Sequence, residues 1–158
     1  MIDPLTDEHF MKKALMEAQF ALEKGEVPVG VVVVAHGQII ARGHNLTETL
    51  TDVTAHAEMQ AITAAANYIG GKYLKDCTLY VTLEPCTMCC GALVHARVSN
   101  LIFAAREPRA GAVVSAGATL DHAALNHRVA WQEGLLSDQS AALLQQFFKA
   151  RRIDKPQS

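Results

Sequence analysis

The chain has 158 residues, half of them apolar and 19% charged, with a formal net charge of −2. That is enough apolar material for a packed core, which excludes a disordered chain and places residues 1–158 in a single domain. A nearly neutral balance excludes a general electrostatic grip on nucleic acid, which shows as a basic domain. No apolar run approaches the ~18 residues of a membrane-spanning helix. The acidic start, MIDPLTDEHF, lacks the basic and apolar parts of a signal peptide. A soluble, cytoplasmic protein with no membrane partner is expected.

In chain order, residues 7–24 carry Met11, Ala14, Leu15, Ala18, Ala21 and Leu22 at helical spacing, with Asp7 as a start signal and Gly25 as a stop. Pro28 forbids further helix, and a β-branched strand follows at 29–34. His36-Gly37 reads as a tight turn into a second strand at 38–42, giving a hairpin. Residues 54–69 read as a helix closed by Gly70-Gly71, and 77–83 as a strand. Pro85 suits the first position of a third helix running to about Arg97. A strand follows at 98–105. Residues 106–127, rich in Gly and Ala, read as loop with one short helix. A short strand at 129–132 and a last helix at 138–152 complete the chain. Strands interspersed with helices after an initial hairpin predict an α/β fold, a mixed sheet covered on both faces.

Local charge is less even than the total. Residues 147–158 carry Lys149, Arg151, Arg152 and Lys155 against Asp154 alone, whereas residues 1–28 are net acidic. Cations at a helix C-terminus complement its dipole, so a solvated helix end and a contact with phosphates both fit this basic tail.

Of the four cysteines, Cys86, Cys89 and Cys90 lie within five residues and Cys77 stands apart. Without an export signal, such a cluster points to metal binding or redox chemistry rather than disulfides. On a helix beginning at Pro85, Cys86 and Cys89 at i and i+3 face one way, in a first turn whose free N–H groups favour thiolates. His56, at the start of another helix, completes a His-Cys-Cys set. Three protein ligands leave a fourth position for water, which marks a catalytic zinc site. Glu58, two positions on, does not share the face of His56, which suits a base reaching that water from beside the metal. Two thiolates cancel the formal charge of zinc, so a neighbouring carboxylate base is the more necessary. Desolvation would raise the pKa of Glu58 and the cation would lower it. Cys90 and Cys77 read as small buried residues, and Trp131 as core.

His56-Ala57-Glu58 with Pro85-Cys86-Thr87-Met88-Cys89 is the H-x-E…P-C-x-x-C signature of zinc-dependent nucleobase deaminases. EVPVG at 26–30, TAHAEM at 54–59, TLYVTLEPCTMC at 78–89, LNHRV at 125–129 and LLQQFFKARR at 143–152 extend the likeness. With them the sequence resembles, over nearly its whole length, the bacterial tRNA-specific adenosine deaminases. There are departures: Ala104 replaces a usual glycine, Val113-Val114 replaces Ala-Gly, and Asp52-Val53-Thr54 replaces Asp-Pro-Thr.

The resemblance implies a three-layer α/β/α cytidine-deaminase-like fold with a mixed five-stranded sheet, one Zn2+ per chain, and a homodimer whose sites are lined by both subunits. It implies hydrolytic deamination of the wobble adenosine in a tRNA anticodon stem-loop to inosine. His56, Cys86 and Cys89 would hold the metal and Glu58 would carry the proton. Asn45 would hydrogen-bond the target nucleoside, Glu107 and Arg109 would lie in the nucleotide-contacting loop, and Phe148, Lys149, Arg151 and Arg152 would meet RNA. Two other functions share parts of the pattern. One is a deaminase of a free base or nucleoside, such as guanine or cytosine, which has no use for a basic C-terminal helix. The other is a non-catalytic zinc-stabilised RNA-binding domain, against which Glu58 stands, since a closed structural site needs no adjacent base.

Overall fold

The hairpin turn sets the start of the sheet. In the computed structural model, which describes residues 2–3 and 6–154, His36 and Gly37 both have positive φ, 50° and 76°, the twist a two-residue turn needs to match paired strands. They join β1 (Gly30–Ala35) to β2 (Gln38–His44), antiparallel with a bulge between Val33 and Val34. β3 (Cys77–Leu83) pairs antiparallel with β1 on its other side. β4 (Asn100–Ala105) pairs parallel with β3, and β5 (Ala130–Glu133) parallel with β4. The order is β2-β1-β3-β4-β5, the expected mixed five-stranded sheet.

Helices α1 (Thr6–Glu23) and α4 (Ser137–Asp154) lie on one face, and α2 (Ala57–Ile69) and α3 (Thr87–His95) on the other. Alternation along β1 divides the core. Val31 and Val33 pack with Ala57, Ala61 and Ala65 of α2 and Leu93 of α3, whereas Val32 and Val34 pack with Phe10, Met11 and Ala14 of α1. Gly43 brings α2 close, since a Cβ there would stand 2.8 Å from the Ala57 carbonyl oxygen. Among the described residues no helix is long and apolar enough to cross a membrane.

Three expectations are corrected. Pro85 does not begin α3: its carbonyl accepts the Ala112 N–H at 2.8 Å, and the helix starts two residues later with Cys86 as its N-cap. α2 begins at Ala57 rather than residue 54, because Asp52 accepts both the backbone N–H and the hydroxyl of Thr54, holding residues 52–54 in a turn. Trp131 is only half-buried on the edge strand β5, stacked on Phe103 at 6.0 Å between centroids. The 106–127 segment is loop with one short 3-10 turn, Thr119–Asp121, as expected. Lys155 lies outside the described residues.

The start of β1 and the ends of β2, β3 and β4 meet at one edge of the sheet. Open α/β sheets bind ligands outside the carboxyl ends of their strands, and the candidate site is built there.

Candidate active site

Two helix N-termini meet at this edge. His56 is the N-cap of α2 (φ −67°, ψ 156°) and Cys86 the N-cap of α3 (φ −77°, ψ 176°). Neither side chain caps its own helix, so both are free to face a common point. The first-turn N–H groups and the positive ends of both dipoles favour negative charge there, and the Cys89 N–H donates to Cys86. Cys89 sits one turn into α3 and is fully buried.

His56 Nδ1 lies 3.6 Å from Cys86 Sγ and 3.6 Å from Cys89 Sγ. The three potential ligand atoms lie within 4.8 Å of one another. A zinc ion ~2.3 Å from sulfur and ~2.0–2.1 Å from nitrogen, at tetrahedral angles, sets S···N at about 3.6 Å. The donor set and its spacing therefore fit zinc. Three ligands could hold it, with a fourth position open.

The electrostatics separate the cysteines. Hydrogen bonds from Cys89 and His56 bring the Cys86 thiol down to about 3, against the opposing effect of burial. Cys89, donating to Cys86 and buried, is pushed up, while the bond to Cys86 raises His56 against its own burial. Cys90 points elsewhere: its thiol donates to the Pro85 carbonyl at 3.8 Å, and burial pushes it up to about 12. Cys77 is buried at the far end of β3, where burial raises it too.

Glu58 is 4% exposed, and desolvation raises its carboxyl above the ordinary range. It lines a cavity of about 250 Å³ together with His56, Cys86, Asn45, Thr47, Val29 and Leu83. This is smaller than the ~300–1,000 Å³ of sites for drug-sized ligands and is the size class of one base. Asn45 is buried on the wall, its N–H held by the Val29 carbonyl at 3.1 Å. Glu107 also reaches the wall, but its carboxylate accepts the N–H groups of Arg109 and Ala110, both at 3.0 Å. Arg109 does not line the cavity.

Outside, a groove of about 750 Å³ continues from Val27, Leu83 and Glu107 past Arg106 and Arg109 to Leu144, Phe148 and Arg152 of α4. Of the expected RNA contacts, the groove gathers Phe148 and Arg152. Arg151 instead lies over the Phe147 ring, 5.1 Å from its centroid, and Lys149 is exposed outside the groove.

Two of the buried carboxylates, Glu26 and Glu84, pin loops beside the cavity and are not marked by any local motif. Glu26 accepts the N–H groups of Glu48 (3.0 Å) and Thr49 (2.8 Å) and the Thr49 hydroxyl (2.7 Å). Glu84 accepts the N–H groups of Glu107, Val113, Val114 and Ser115 and the Ser115 hydroxyl. Burial opposes their ionisation, but these donors outweigh it and hold both below the usual carboxylate range. Each stands at the end of an otherwise apolar stretch, in EVPVG and TLEPC. A charge in such a place was the available signal.

The sequence matches the MafB19-like deaminase family over residues 5–152. It is 51% identical over 145 residues to the tRNA-specific adenosine deaminase of Aquifex aeolicus (strain VF5), covering 92% of this chain and 95% of that protein. A solved structure from a study of A-to-I editing by tRNA:A34 deaminases at the wobble position of transfer RNA superposes with a TM-score of 0.84. It is 44% identical and covers 86% of this chain and 99% of its own. The guanine deaminase of Bacillus subtilis is more distant, at 32% identity and a TM-score of 0.62, covering 96% of both chains. Identity of this order along almost the full length, with the H-x-E and P-C-x-x-C residues gathered around one cavity, makes the chain a member of the tRNA-specific adenosine deaminase family.

Proposed function

We propose that the protein is a zinc-dependent, single-domain enzyme of the cytoplasm that converts adenosine to inosine at the wobble position of a tRNA anticodon, with release of ammonia. The observation that carries this reading is the buried Glu58 carboxylate beside a three-ligand His-Cys-Cys cluster on the floor of a base-sized cavity. His56, Cys86 and Cys89 would hold the metal. Zinc, when held by these residues, would supply the Lewis acidity that makes water a nucleophile near neutral pH. Glu58 would accept a proton from the attacking water and pass it to ring N1 as oxygen bonds to adenine C6; it would then carry the proton of the new C6 hydroxyl to the amino group, so that the C6–N bond breaks with ammonia as the leaving group. Asn45 orients the nucleoside from the wall. An anticodon loop suits the cavity because its bases can be splayed out of the stack at modest cost.

The groove from the cavity to Phe148 and Arg152 favours a polynucleotide over a free base, which would need no such extension. Phe148, 48% exposed, offers a stacking surface, and Arg152, which lines the same groove, offers a phosphate contact. Arg109 and Glu107 stand where the flanking nucleotides would pass. The protein works as a homodimer with each site lined by both subunits, which the resemblance to the bacterial tRNA-specific adenosine deaminases supports. The deciding experiment incubates it with total bacterial tRNA and sequences for A-to-inosine conversion. Inosine at the first anticodon position is expected. Turnover of free guanine or cytosine with tRNA untouched would establish the free-base deaminase instead. Release of ammonia from no substrate would leave a zinc-stabilised binding domain.

A further inference from the structure

We infer that Glu84 is a positioning residue for the deamination: its carboxylate holds the loop at 105–116 as one wall of the catalytic cavity and locks that wall to the segment bearing Cys86. This rests on the proposed function for its kinetic consequence, but not for its structural basis. Glu84 is 3% exposed. Its Oε2 accepts three successive backbone N–H groups, Val113 at 3.1 Å, Val114 at 2.9 Å and Ser115 at 3.0 Å. Its Oε1 accepts Glu107 N–H at 3.1 Å and the Ser115 hydroxyl. Consecutive N–H groups converging on one point form an anion-binding concavity, and here the anion is the chain's own side chain.

The backbone completes the lock. Glu84 N–H donates to the Ala105 carbonyl at 2.8 Å, and Ala112 N–H donates to the Pro85 carbonyl at 2.8 Å. Gly111 lies directly on the carboxylate, where a Cβ would overlap both the Glu84 carboxyl group and the Glu107 carbonyl. Four N–H groups of the loop, those of Glu107, Val113, Val114 and Ser115, therefore depend on this one side chain for the acceptor that a helix or strand would otherwise supply. Glu107 and Ala110, on the cavity wall, are carried by this loop. Glu84 borders the cavity too, but its oxygens are committed to the loop, so it acts on the substrate through the wall.

Glutamine is the discriminating substitution. It keeps the volume but offers one acceptor oxygen, and its amide would turn N–H groups toward N–H groups. In Glu84→Gln, amide exchange at Glu107 and 113–115 should rise by about tenfold or more while sheet amides stay protected. The KM for an anticodon stem-loop should rise by about tenfold or more, with kcat per bound zinc falling less. Tyr80→Phe, which loses a buried hydrogen bond to Asp7 on the opposite face, is the stability control and should leave KM unchanged. Gly111→Ala should reproduce the KM effect, and combining it with Glu84→Gln should add little. If Glu84→Gln does not fold, Ser115→Ala carries the test, with a KM rise of about threefold at unchanged zinc content. Unchanged exchange at 113–115 in Glu84→Gln, or unchanged KM in the variants that fold, overturns the proposal. A wild-type protein inactive on tRNA would defeat the proposed function instead, and the exchange measurement would still decide whether Glu84 anchors the loop.

Discussion

Glu58 and Glu84 are equally hidden, 4% and 3% exposed, yet their proton affinities move in opposite directions. Around Glu58 desolvation dominates and the carboxyl is raised. Around Glu84 the backbone and Ser115 donors prevail over burial, and the carboxyl is lowered, as it is in Glu26. Depth alone therefore does not assign a role to a buried acid. A carboxylate whose donors outweigh burial is a structural anion, and one in which desolvation prevails, beside the proposed zinc ligands, is suited to proton transfer. The site divides along this line. One half is the pair of helix N-termini bearing His56, Glu58, Cys86 and Cys89. The other is a pair of loops, 46–54 and 105–116, pinned by Glu26 and Glu84.

The sharpest separation of the halves comes from the proposed metal ligands. Cys86→Ala should lose both zinc and activity outright, measured by metal analysis and inosine formation. The amides at 113–115 should stay protected, because the Glu84 lock does not involve the Cys86 sulfur. Cys90→Ser should keep zinc and activity, since its thiol is spent on the Pro85 carbonyl. Zinc loss in Cys90→Ser would mean that the helix half has been built from the wrong cysteine. Next in size, Glu58→Ala should retain zinc and bind RNA, yet fall in rate by the ~10²–10⁴-fold typical of a lost general acid–base. A near-normal rate would erase the distinction between the two kinds of buried acid.

The two halves also differ in how far the sequence reveals them. His56 with Glu58, and Cys86 with Cys89, are close in sequence and stand at helix starts, so local spacing carries their geometry. The hairpin at His36-Gly37 was legible for the same reason. Glu26 and Glu84 act across 22 to 31 residues, through partners chosen for their backbone N–H groups rather than their side chains. Apart from the Thr49 and Ser115 hydroxyls, nothing in the partner side chains records such a bond, so the 106–116 stretch reads only as irregular. Pro85 shows the same blindness at one residue. Its rigid φ suits a helix start, but its carbonyl is engaged by Ala112, from a segment no local rule places beside it. The departures at Val113 and Val114 are harmless to the lock, because Glu84 takes their N–H groups and not their side chains.

Glu26 offers a smaller test of the loop half by pH. Its folded-state pKa lies below the ordinary value of 4.5, so its stabilising effect is present above that value. It is lost as the pH falls below 4.5 and through the lower folded value. At pH 7, Glu26→Gln should destabilise the protein by about 1–3 kcal/mol, the cost of donors left without an acceptor. In denaturant unfolding the gap from wild type should narrow as the pH falls below 4.5. A gap that stays constant would mean that Glu26 contributes shape rather than charge.

The smallest effect separates neighbours on α4. Arg152 lines the groove that leaves the cavity, whereas Arg151 lies against the Phe147 ring. A cation contacting phosphate releases a counterion from the RNA, and each such contact contributes about −0.7 to the salt slope for single strands. Arg152→Ala should therefore weaken stem-loop binding and flatten the plot of log K against log salt by roughly 0.7. Arg151→Ala should leave that slope nearly unchanged and instead lower thermal stability slightly, because its stem and guanidinium cover an aromatic face. Zinc content should be the same in both, since α4 contributes no ligand. Equal slope changes in the two variants would show that phosphates also run outside the groove. No change in either would return both arginines to the role of a solvated helix end, and the path of the RNA beyond Glu107 would have to be sought on another face.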